Sequence, residues 1–257
     1  MVQGESCIIM LTPEQWHAHF CYQAKWTEEV RENFFKNWCG PNLRILEVGC
    51  GTGAIIGSTL FNSHSILHGL DCSFEFLGYG SKINNLVNET CGNALQLPFC
   101  DEAFEITFCH FLLLWLQDPS AALKEMVRVT HKGGWVAAFA EPDHSARIDY
   151  PIAFEKAGKA QVVSLQRQGA DLQSGRKLVE WMIDCGLQHI EVGILGAHWM
   201  VDRQGERSEE ARMLEHDLKW LSDDKKKDVG IKQSSNEYQK SVIFIPTFYA
   251  WGQVLRK

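Results

Sequence analysis

The chain has 257 residues, of which 45% are hydrophobic and 22% are charged, so it is long enough to bury one sizeable core. Its formal charge of −7 argues against a face that binds nucleic acid, because phosphates attract a basic surface. No stretch approaches the roughly 20 apolar residues that a membrane span requires. We therefore expect a single domain over residues 1–257 that binds neither nucleic acid nor a membrane. The sequence leaves its oligomeric state open.

The cysteines indicate neither a zinc site nor a complete set of disulfides. They are odd in number and contain no C-x-x-C pair, and we expect no metal. The N-terminus also lacks the basic start and long apolar run of a secretion signal. These features favour reduced thiols in a cytoplasmic protein. The nine cysteines are at positions 7, 21, 39, 50, 72, 91, 100, 109 and 185.

Two amphipathic helices are predicted before the first strand, and together they form a helical cap over residues 1–40. The first covers residues 13–23, and the second begins behind an N-cap at Thr27. Aromatic residues on such helices are more often part of the core than of a binding site. Gln23 and Trp26 are the two that we expect to cover a ligand. The apolar residues of the second helix recur every four positions, at Trp26, Val30, Phe34 and Trp38.

The first predicted strand is the apolar run 43–48, and it ends in a glycine-rich loop. Gly49, Gly51 and Gly53 allow the backbone to turn sharply and leave no Cβ to exclude a ligand. Apolar residues then continue at helical spacing, so the loop is expected at a helix N-terminus. The same glycines, with Ala in the last place, also satisfy the fingerprint of dinucleotide-binding loops. Glu47 separates the two kinds of ligand, because its carboxylate would repel a pyrophosphate but suits a ligand with a cationic end. A purely structural turn is the remaining alternative.

The second predicted strand, residues 66–71, ends in an acid about 20 residues beyond the glycine loop. At this distance the crossover of a nucleotide-binding unit returns a carboxylate to the ligand's ribose. Asp71 is therefore expected to accept hydrogen bonds from both ribose hydroxyls. The alternative is a surface residue that caps the following helix.

Two histidines follow predicted strands and are the candidate general bases. His110 comes directly after strand four, and His144 follows strand five, which is predicted over residues 135–140. Ligands of open α/β sheets bind beyond the carboxyl ends of the strands, where both side chains would lie. The alternative for His110 is a histidine that only packs in the core.

The remaining pattern predicts further helices and strands. The helix that begins at Asp118 and Pro119 should be closed by Gly133 and Gly134. An inserted helix is expected over residues 150–168, and another helix that carries Leu178 and Met182 should end at Gly186. Strand six is predicted over residues 190–195. Strands alternate with helices from residue 43 to 195, which indicates a doubly wound α/β sheet.

The stretch from Glu47 to Gly53, together with Asp71 and the segment from 92 to 108, resembles class I S-adenosylmethionine-dependent methyltransferases. Within this family it is most similar to the small-molecule group that includes the ubiquinone and menaquinone biosynthesis enzymes. The resemblance implies a seven-stranded, mostly parallel sheet in a Rossmann-like fold, with a helical cap and helical insertions. Residues 41–145 would form the cofactor-binding half. Segments 146–172 and 203–240 would be lid or substrate insertions, and residues 249–255 would be an antiparallel seventh strand.

The resemblance also implies S-adenosyl-L-methionine as cofactor. Glu47 would help to hold its methionine moiety, and an acid after Gly92 would accept from its adenine amino group. The chain has Asn93 at that position, whose amide oxygen can still accept, but without a charge. The residues expected to contact the cofactor are Gln23, Trp26, Glu47, Gly49, Cys50, Gly51, Gly53, Asp71, Cys72, Asn93, Ala94, Leu95, Cys109 and His110.

The expected reaction is transfer of the sulfonium methyl group to a small, partly apolar acceptor, with His110 or His144 as base. Two alternatives are an NAD-dependent oxidoreductase and a non-catalytic protein that binds S-adenosylmethionine. Glu47 opposes the oxidoreductase, and no Tyr-x-x-x-Lys pair follows strand five to support it. The sequence does not identify the acceptor.

Overall fold

The computed structural model describes residues 12–36, 42–58, 65–84, 87–195 and 242–255. The predicted charged insertion over 203–240 lies outside these residues, as does Trp38 of the predicted second helix. No helix in the described ranges is long and apolar enough to cross a membrane.

The helices occur in the order that the sequence predicts. The first begins with a Thr12/Gln15 capping box and runs three residues further than predicted. Gly186, with φ +81°, follows the last helix in the left-handed conformation that ends helices. The helices are α1 Pro13–Trp26, α2 Glu28–Phe35, α3 Phe74–Ile83, α4 Pro119–Val129, α5 Ile152–Arg167 and α6 Ser174–Asp184.

The strands form one large sheet and one small sheet. The large sheet has seven strands in the order β3-β2-β1-β4-β5-β9-β7, and a second sheet pairs β6 with β8. In the large sheet β9 alone runs antiparallel to the other six strands, so the mostly parallel fold is confirmed. The strands are β1 Arg44–Val48, β2 Ile66–Asp71, β3 Val87–Cys91, β4 Phe104–Cys109, β5 Thr130–Pro142, β6 Ile148–Tyr150, β7 Gln188–Leu195, β8 Val242–Phe244 and β9 Thr247–Gln253.

Both faces of the sheet are covered, which explains the continuous apolar runs in its central strands. Alternate residues of β1 point to opposite faces: Ile45 packs with the aromatic residues of α2, and Leu46 packs with α4 and α6. The order of the strands reverses between β1 and β4, so a crevice forms beyond their carboxyl ends.

Three local predictions are corrected by the structure. The glycine loop continues into consecutive turns over residues 51–58 rather than a helix, with one helix-like bond from Gly57 N–H to Gly53 O. Gly133 and Gly134 do not close α4, because the helix ends at Val129 and both glycines lie within β5. The predicted seventh strand over 249–255 lies two residues earlier, at Thr247–Gln253.

Candidate functional site

The glycine loop after β1 is held against β2 by its own backbone. The N–H groups of Gly49 and Cys50 both donate to Leu70 O, at 2.7 and 3.0 Å. Gly49, Gly51 and Gly53 have φ angles of +75°, +53° and +72°, a region that other residues rarely adopt. Two of these glycines are also in close contact with side chains. A Cβ on Gly49 would lie 2.7 Å from Leu112 Cδ1, and a Cβ on Gly51 would lie 3.0 Å from the ring of Phe20.

Asp71, at the end of β2, connects that strand to the loop. Its Oδ2 accepts from Gly51 N–H at 2.8 Å, and its Oδ1 accepts from Ser73 N–H at 2.8 Å. Each carboxylate oxygen has further lone pairs, and the residue is only partly buried, so it can still accept from a ligand's hydroxyls. The carboxylate therefore lies beside the loop, as the spacing predicts.

Glu47 is more deeply buried than its proposed contact with a ligand suggests. It is 1% exposed, and its Oε2 accepts from Ile56 N–H at 2.9 Å, in the turns that follow the glycines. Burial raises the pKa of Glu47 to about 8, although the Ile56 N–H and the charge of Arg31 act to lower it. The Glu47 carboxyl group thus stabilises the conformation of the turns that follow the glycines.

His110 lies at the end of β4 in a buried polar network with α2. Its Nε2 is 2.8 Å from Thr27 Oγ1, which also accepts from Arg31 Nε at 3.0 Å. Burial, together with the charge of Arg31, holds the pKa of His110 well below its usual value. Its imidazole is therefore neutral at physiological pH and able to accept a proton. Thr27, predicted as an N-cap, makes no side-chain cap bond in α2, because its hydroxyl is used in this network.

His144 lies after β5, in a short 3₁₀ turn over His144–Ala146, and it is buried. Its Nδ1 is buried and has no hydrogen-bond partner among the residues that the structure describes. Burial lowers the pKa of His144 to about 4, and the charge of Arg147 acts in the same direction. His144 thus also stays neutral at physiological pH.

The cap helix α1 closes over the glycine loop. Its His17 Nδ1 lies 2.8 Å from Thr52 Oγ1 in the loop, and Phe20 packs on Gly51. At the end of α1 the ring of Trp26 lies 6.4 Å from that of Phe111, directly after His110. Trp26 therefore lies beside the loop that follows β4, and Gln23 lies one turn earlier, partly buried; their contact with a ligand stays a prediction.

Several predicted contacts are available only through the backbone or carry other bonds. The thiols of Cys50 and Cys109 are buried, so these residues can offer a ligand only their main chain. Asn93 is exposed, and its Oδ1 already accepts from Leu95 N–H at 2.9 Å. Cys72 is exposed beside Asp71. Ala94 and Leu95 are at least partly buried in the core beside the Asn93 turn.

Sequence reasoning missed a group of residues that shape the crevice. Glu141, at the end of β5, is fully buried and binds the loop after β4. An acid at the end of an apolar strand was an available signal, since Glu47 has the same pattern. The other missed residues make contacts between segments that are distant in sequence, so no local sequence pattern indicates these contacts. The residues missed are Phe20, Thr27, Arg31, Phe111, Leu112 and Glu141.

Comparison with known proteins agrees with this arrangement. A family model described as "Methyltransferase domain" matches residues 46–138. A methyltransferase of Schizosaccharomyces pombe, named as uncharacterized, is 29% identical over 225 residues, which cover 80% of each chain. A demethylmenaquinone methyltransferase of Geobacillus kaustophilus is 38% identical over 119 residues, which cover 43% of this chain and 49% of that protein.

The fold is also found in a solved structure of the geranyl diphosphate C-methyltransferase of Streptomyces coelicolor in complex with Mg²⁺, geranyl diphosphate and S-adenosyl-L-homocysteine. The TM-score is 0.54 at 14% identity, and the match covers 89% of this chain and 79% of that one. At this identity the likeness shows the fold alone. The domain match over residues 46–138, the methyltransferase relatives and the glycine loop beside Asp71 together support a methyltransferase similar to the class I S-adenosylmethionine-dependent family.

Proposed function

We propose that the protein transfers the methyl group of S-adenosylmethionine to a small, partly apolar acceptor in the crevice beyond β1 and β4. One observation carries the proposal: the glycine loop and Asp71 meet at the point where the strand order reverses, the usual ligand site of such sheets. The cofactor, when bound, supplies a methyl group that is already activated by the sulfonium charge. The residues of the chain therefore have to bind the cofactor and the acceptor, orient them and exclude water.

The first task of the chain is to hold the cofactor. Asp71 would accept from the ribose hydroxyls, and Gly49 and Gly51 would lie against the ligand without a Cβ. Trp26 and Phe111 would cover it from the side of the cap. Holding acceptor and methyl donor in line can supply about 7–11 kcal/mol of the barrier.

A proton must leave the acceptor if the nucleophile is a hydroxyl, amine or thiol, and His110 is the group that we propose takes it. Arg31 Nε donates to Thr27 Oγ1. If His110 Nε2 also donates to that oxygen, the Thr27 hydroxyl turns to Ala24 O, 3.4 Å away. In this tautomer Nδ1 carries the lone pair that accepts the proton. Thr27 and Arg31 would then select the tautomer of the base.

His144 is the second candidate base. Its buried Nδ1, which has no partner among the described residues, is consistent with a lone pair kept for a substrate, but the residue follows β5, which is two strands away from β1 and its glycine loop. Support for His110 is stronger, because it lies at the strand-order reversal itself.

The acceptor's partly apolar character rests on the segment that follows β5. There Ile148, Tyr150 and Ile152 are more than half exposed. Large apolar side chains that remain exposed commonly line binding surfaces. The name of the Geobacillus relative, a demethylmenaquinone methyltransferase, adds support for a small apolar acceptor. Tight, steeply salt-dependent binding of RNA or DNA would count against this proposal.

The cofactor is tested by thermal unfolding and calorimetry with S-adenosylhomocysteine and with NAD. Only a ligand that binds the native state raises the melting temperature, so S-adenosylhomocysteine should raise it and NAD should not. Asp71→Ala should weaken the binding of S-adenosylhomocysteine by about 1.5–3 kcal/mol, the value of hydrogen bonds to a charged group. A stabilising effect of NAD alone would favour the oxidoreductase, and an unchanged affinity in Asp71→Ala would leave Asp71 as a structural residue of the loop. Binding without methyl transfer to any acceptor would favour the non-catalytic alternative.

A further inference from the structure

The loop after β4 is held in place by a carboxylate from β5. Glu141 is fully buried, and its Oε1 accepts from the N–H groups of Leu112 and Leu113, at 3.2 and 2.9 Å. Its Oε2 accepts from the Leu114 N–H at 3.0 Å. One side chain thus satisfies three consecutive backbone donors at the start of the 3₁₀ turn Leu113–Trp115.

These hydrogen bonds stabilise a backbone conformation that is otherwise unfavourable in free energy. Phe111 has a φ of +49°, an uncommon conformation for a bulky residue. Its position is where the chain leaves β4 and turns toward the 3₁₀ segment. The N–H groups of the next three residues converge on one point only because of that turn. A buried carboxyl group that accepts all three N–H groups at that point therefore selects this loop conformation over others.

The loop has a direct contact with the proposed cofactor site. Leu112, whose N–H binds Glu141, packs on Gly49 so closely that no Cβ would fit between them. Phe111 faces Trp26 of the cap, and His110 immediately precedes it. The loop is therefore the wall of the crevice opposite β2, and its position follows that of Glu141.

We propose that Glu141 is a positioning residue of the methyltransferase site. In this role it acts through the loop that it binds and not by contact with the cofactor. It fixes residues 111–114 so that Leu112 and Phe111 form the wall against which the cofactor is bound. This inference rests on the proposed function, because it assigns Glu141 a role in binding S-adenosylmethionine beyond stabilising the sheet.

The test compares Glu141→Gln with Glu105→Gln. Glu105 also accepts three N–H groups, from Arg44 N, Nε and Nη2, but it lies at the amino ends of β1 and β4, away from the crevice. Calorimetry measures the affinity of each variant for S-adenosylhomocysteine, and hydrogen exchange measures the amides of Leu112–Leu114. In Glu141→Gln an amide N–H₂ replaces one acceptor oxygen, so one donor of the loop loses its partner.

We expect Glu141→Gln to bind S-adenosylhomocysteine about ten-fold more weakly or worse, since losing one charge-assisted bond corresponds to roughly that factor. Its loop amides should exchange faster by a similar factor, and Glu105→Gln should change neither quantity at comparable thermal stability. Faster exchange with unchanged affinity would overturn the inference, as would an equal loss of affinity in Glu105→Gln.

The unaltered protein gives an independent result if Glu141→Gln does not fold. Bound S-adenosylhomocysteine should slow the exchange of the Leu112–Leu114 amides, because their loop contacts the ligand. Normal binding with unchanged exchange there would overturn the role of Glu141 while leaving the cofactor assignment intact. A protein that binds no S-adenosylhomocysteine at all would instead contradict the proposed function.

Discussion

Glu47 and Glu141 show how single buried acidic side chains shape this site. Both end apolar strands, and both carboxylates accept backbone N–H groups from loops at the crevice. Burial raises the pKa of Glu47 to about 8 and that of Glu141 to about 7. A group with a raised pKa is more easily protonated in the folded than in the unfolded chain. Its carboxylate therefore costs stability at higher pH.

The pH dependence of stability tests the burial of Glu47. Between its unfolded pKa of 4.5 and its folded pKa of about 8, the folded chain retains a proton that the unfolded chain has lost. The contribution of Glu47 to the free energy of unfolding therefore falls as pH rises through that window. Relative to the parent protein, Glu47→Gln should gain up to about 1.4 kcal/mol of unfolding free energy per pH unit.

Denaturant unfolding at several pH values measures this difference, with Glu105→Gln as control. Hydrogen bonds from Arg44 lower the pKa of Glu105, so its contribution is constant above pH 4.5 and is lost only at lower pH. A difference between Glu47→Gln and the parent that does not vary with pH would show that Glu47 ionises normally.

The role of His110 is testable at the same scale. If His110 is the base, His110→Ala should lower methyl transfer about 10²–10⁴-fold and leave S-adenosylhomocysteine affinity nearly unchanged. Because its pKa lies well below 6.5, the rate should be independent of pH above that value and fall only well below it. Transfer from labelled S-adenosylmethionine to a panel of small phenols, amines and thiols measures the effect.

Thr27→Val provides the matched variant, because it keeps the side-chain shape and removes the hydroxyl that faces His110 Nε2. It should lower transfer less than His110→Ala does. If His110→Ala has normal methyl transfer and normal stability, His110 is not the base. Catalysis would then come from holding the two reactants in line. A lowered melting temperature with parallel losses of binding and transfer would make His110 a core residue.

At the scale of elements, helix α1 packs directly against the glycine loop. The helix carries the His17 contact to Thr52, and its Phe20 ring rests on Gly51, which has no side chain to separate them. Trp16 and Phe76 extend this aromatic contact to α3. The order of the loop therefore depends on helix packing as well as on its own turns.

Gly51→Ala tests that dependence, with Gly133→Ala as control. Both glycines have positive φ, at +53° and +84°, so either substitution should cost about 1–2 kcal/mol of stability. Only at Gly51 would the new Cβ also meet a side chain, Phe20, whereas no atom of the described residues lies within 4 Å of the corresponding position at Gly133. S-adenosylhomocysteine binding should therefore weaken in Gly51→Ala alone, and equal affinities measured by calorimetry would refute the coupling.

At the scale of the whole molecule, strand β9 connects the large sheet with the cap helix α2. Strand β9 lies between β5 and β7 in the sheet. Its Trp251 is 7% exposed and lies 5.2 Å, ring to ring, from Phe34 of the cap helix α2. The cap that borders the site thus rests on residues more than 200 positions away.

Trp251→Ala should accordingly lower the free energy of unfolding by about 3–5 kcal/mol, because it leaves a large cavity beneath α2. Ile183→Ala is the control: the side chain is 58% exposed on α6, so its loss should change stability by less than about 0.5 kcal/mol. Denaturant unfolding followed by circular dichroism measures both, and similar values would mean that Trp251 does not support the cap.

The sequence by itself determined the elements whose signal is local. The apolar strand into Gly49, the acid at Asp71 and the strand end before His110 could all be predicted, because each follows from residue spacing along one segment. The sheet itself followed from the alternation of strands and helices. Its antiparallel strand β9 was expected only from the family resemblance, and its start was placed two residues late.

The tertiary structure alone decided what each of these residues contacts. Thr27 gives up its capping role to bind His110, Glu47 turns inward to Ile56, and Glu141 reaches across to Leu112. These partners are between 9 and 83 positions apart in the chain. The energy of a buried hydrogen bond depends on the donor that folding brings within about 3 Å, and no sequence period records that distance.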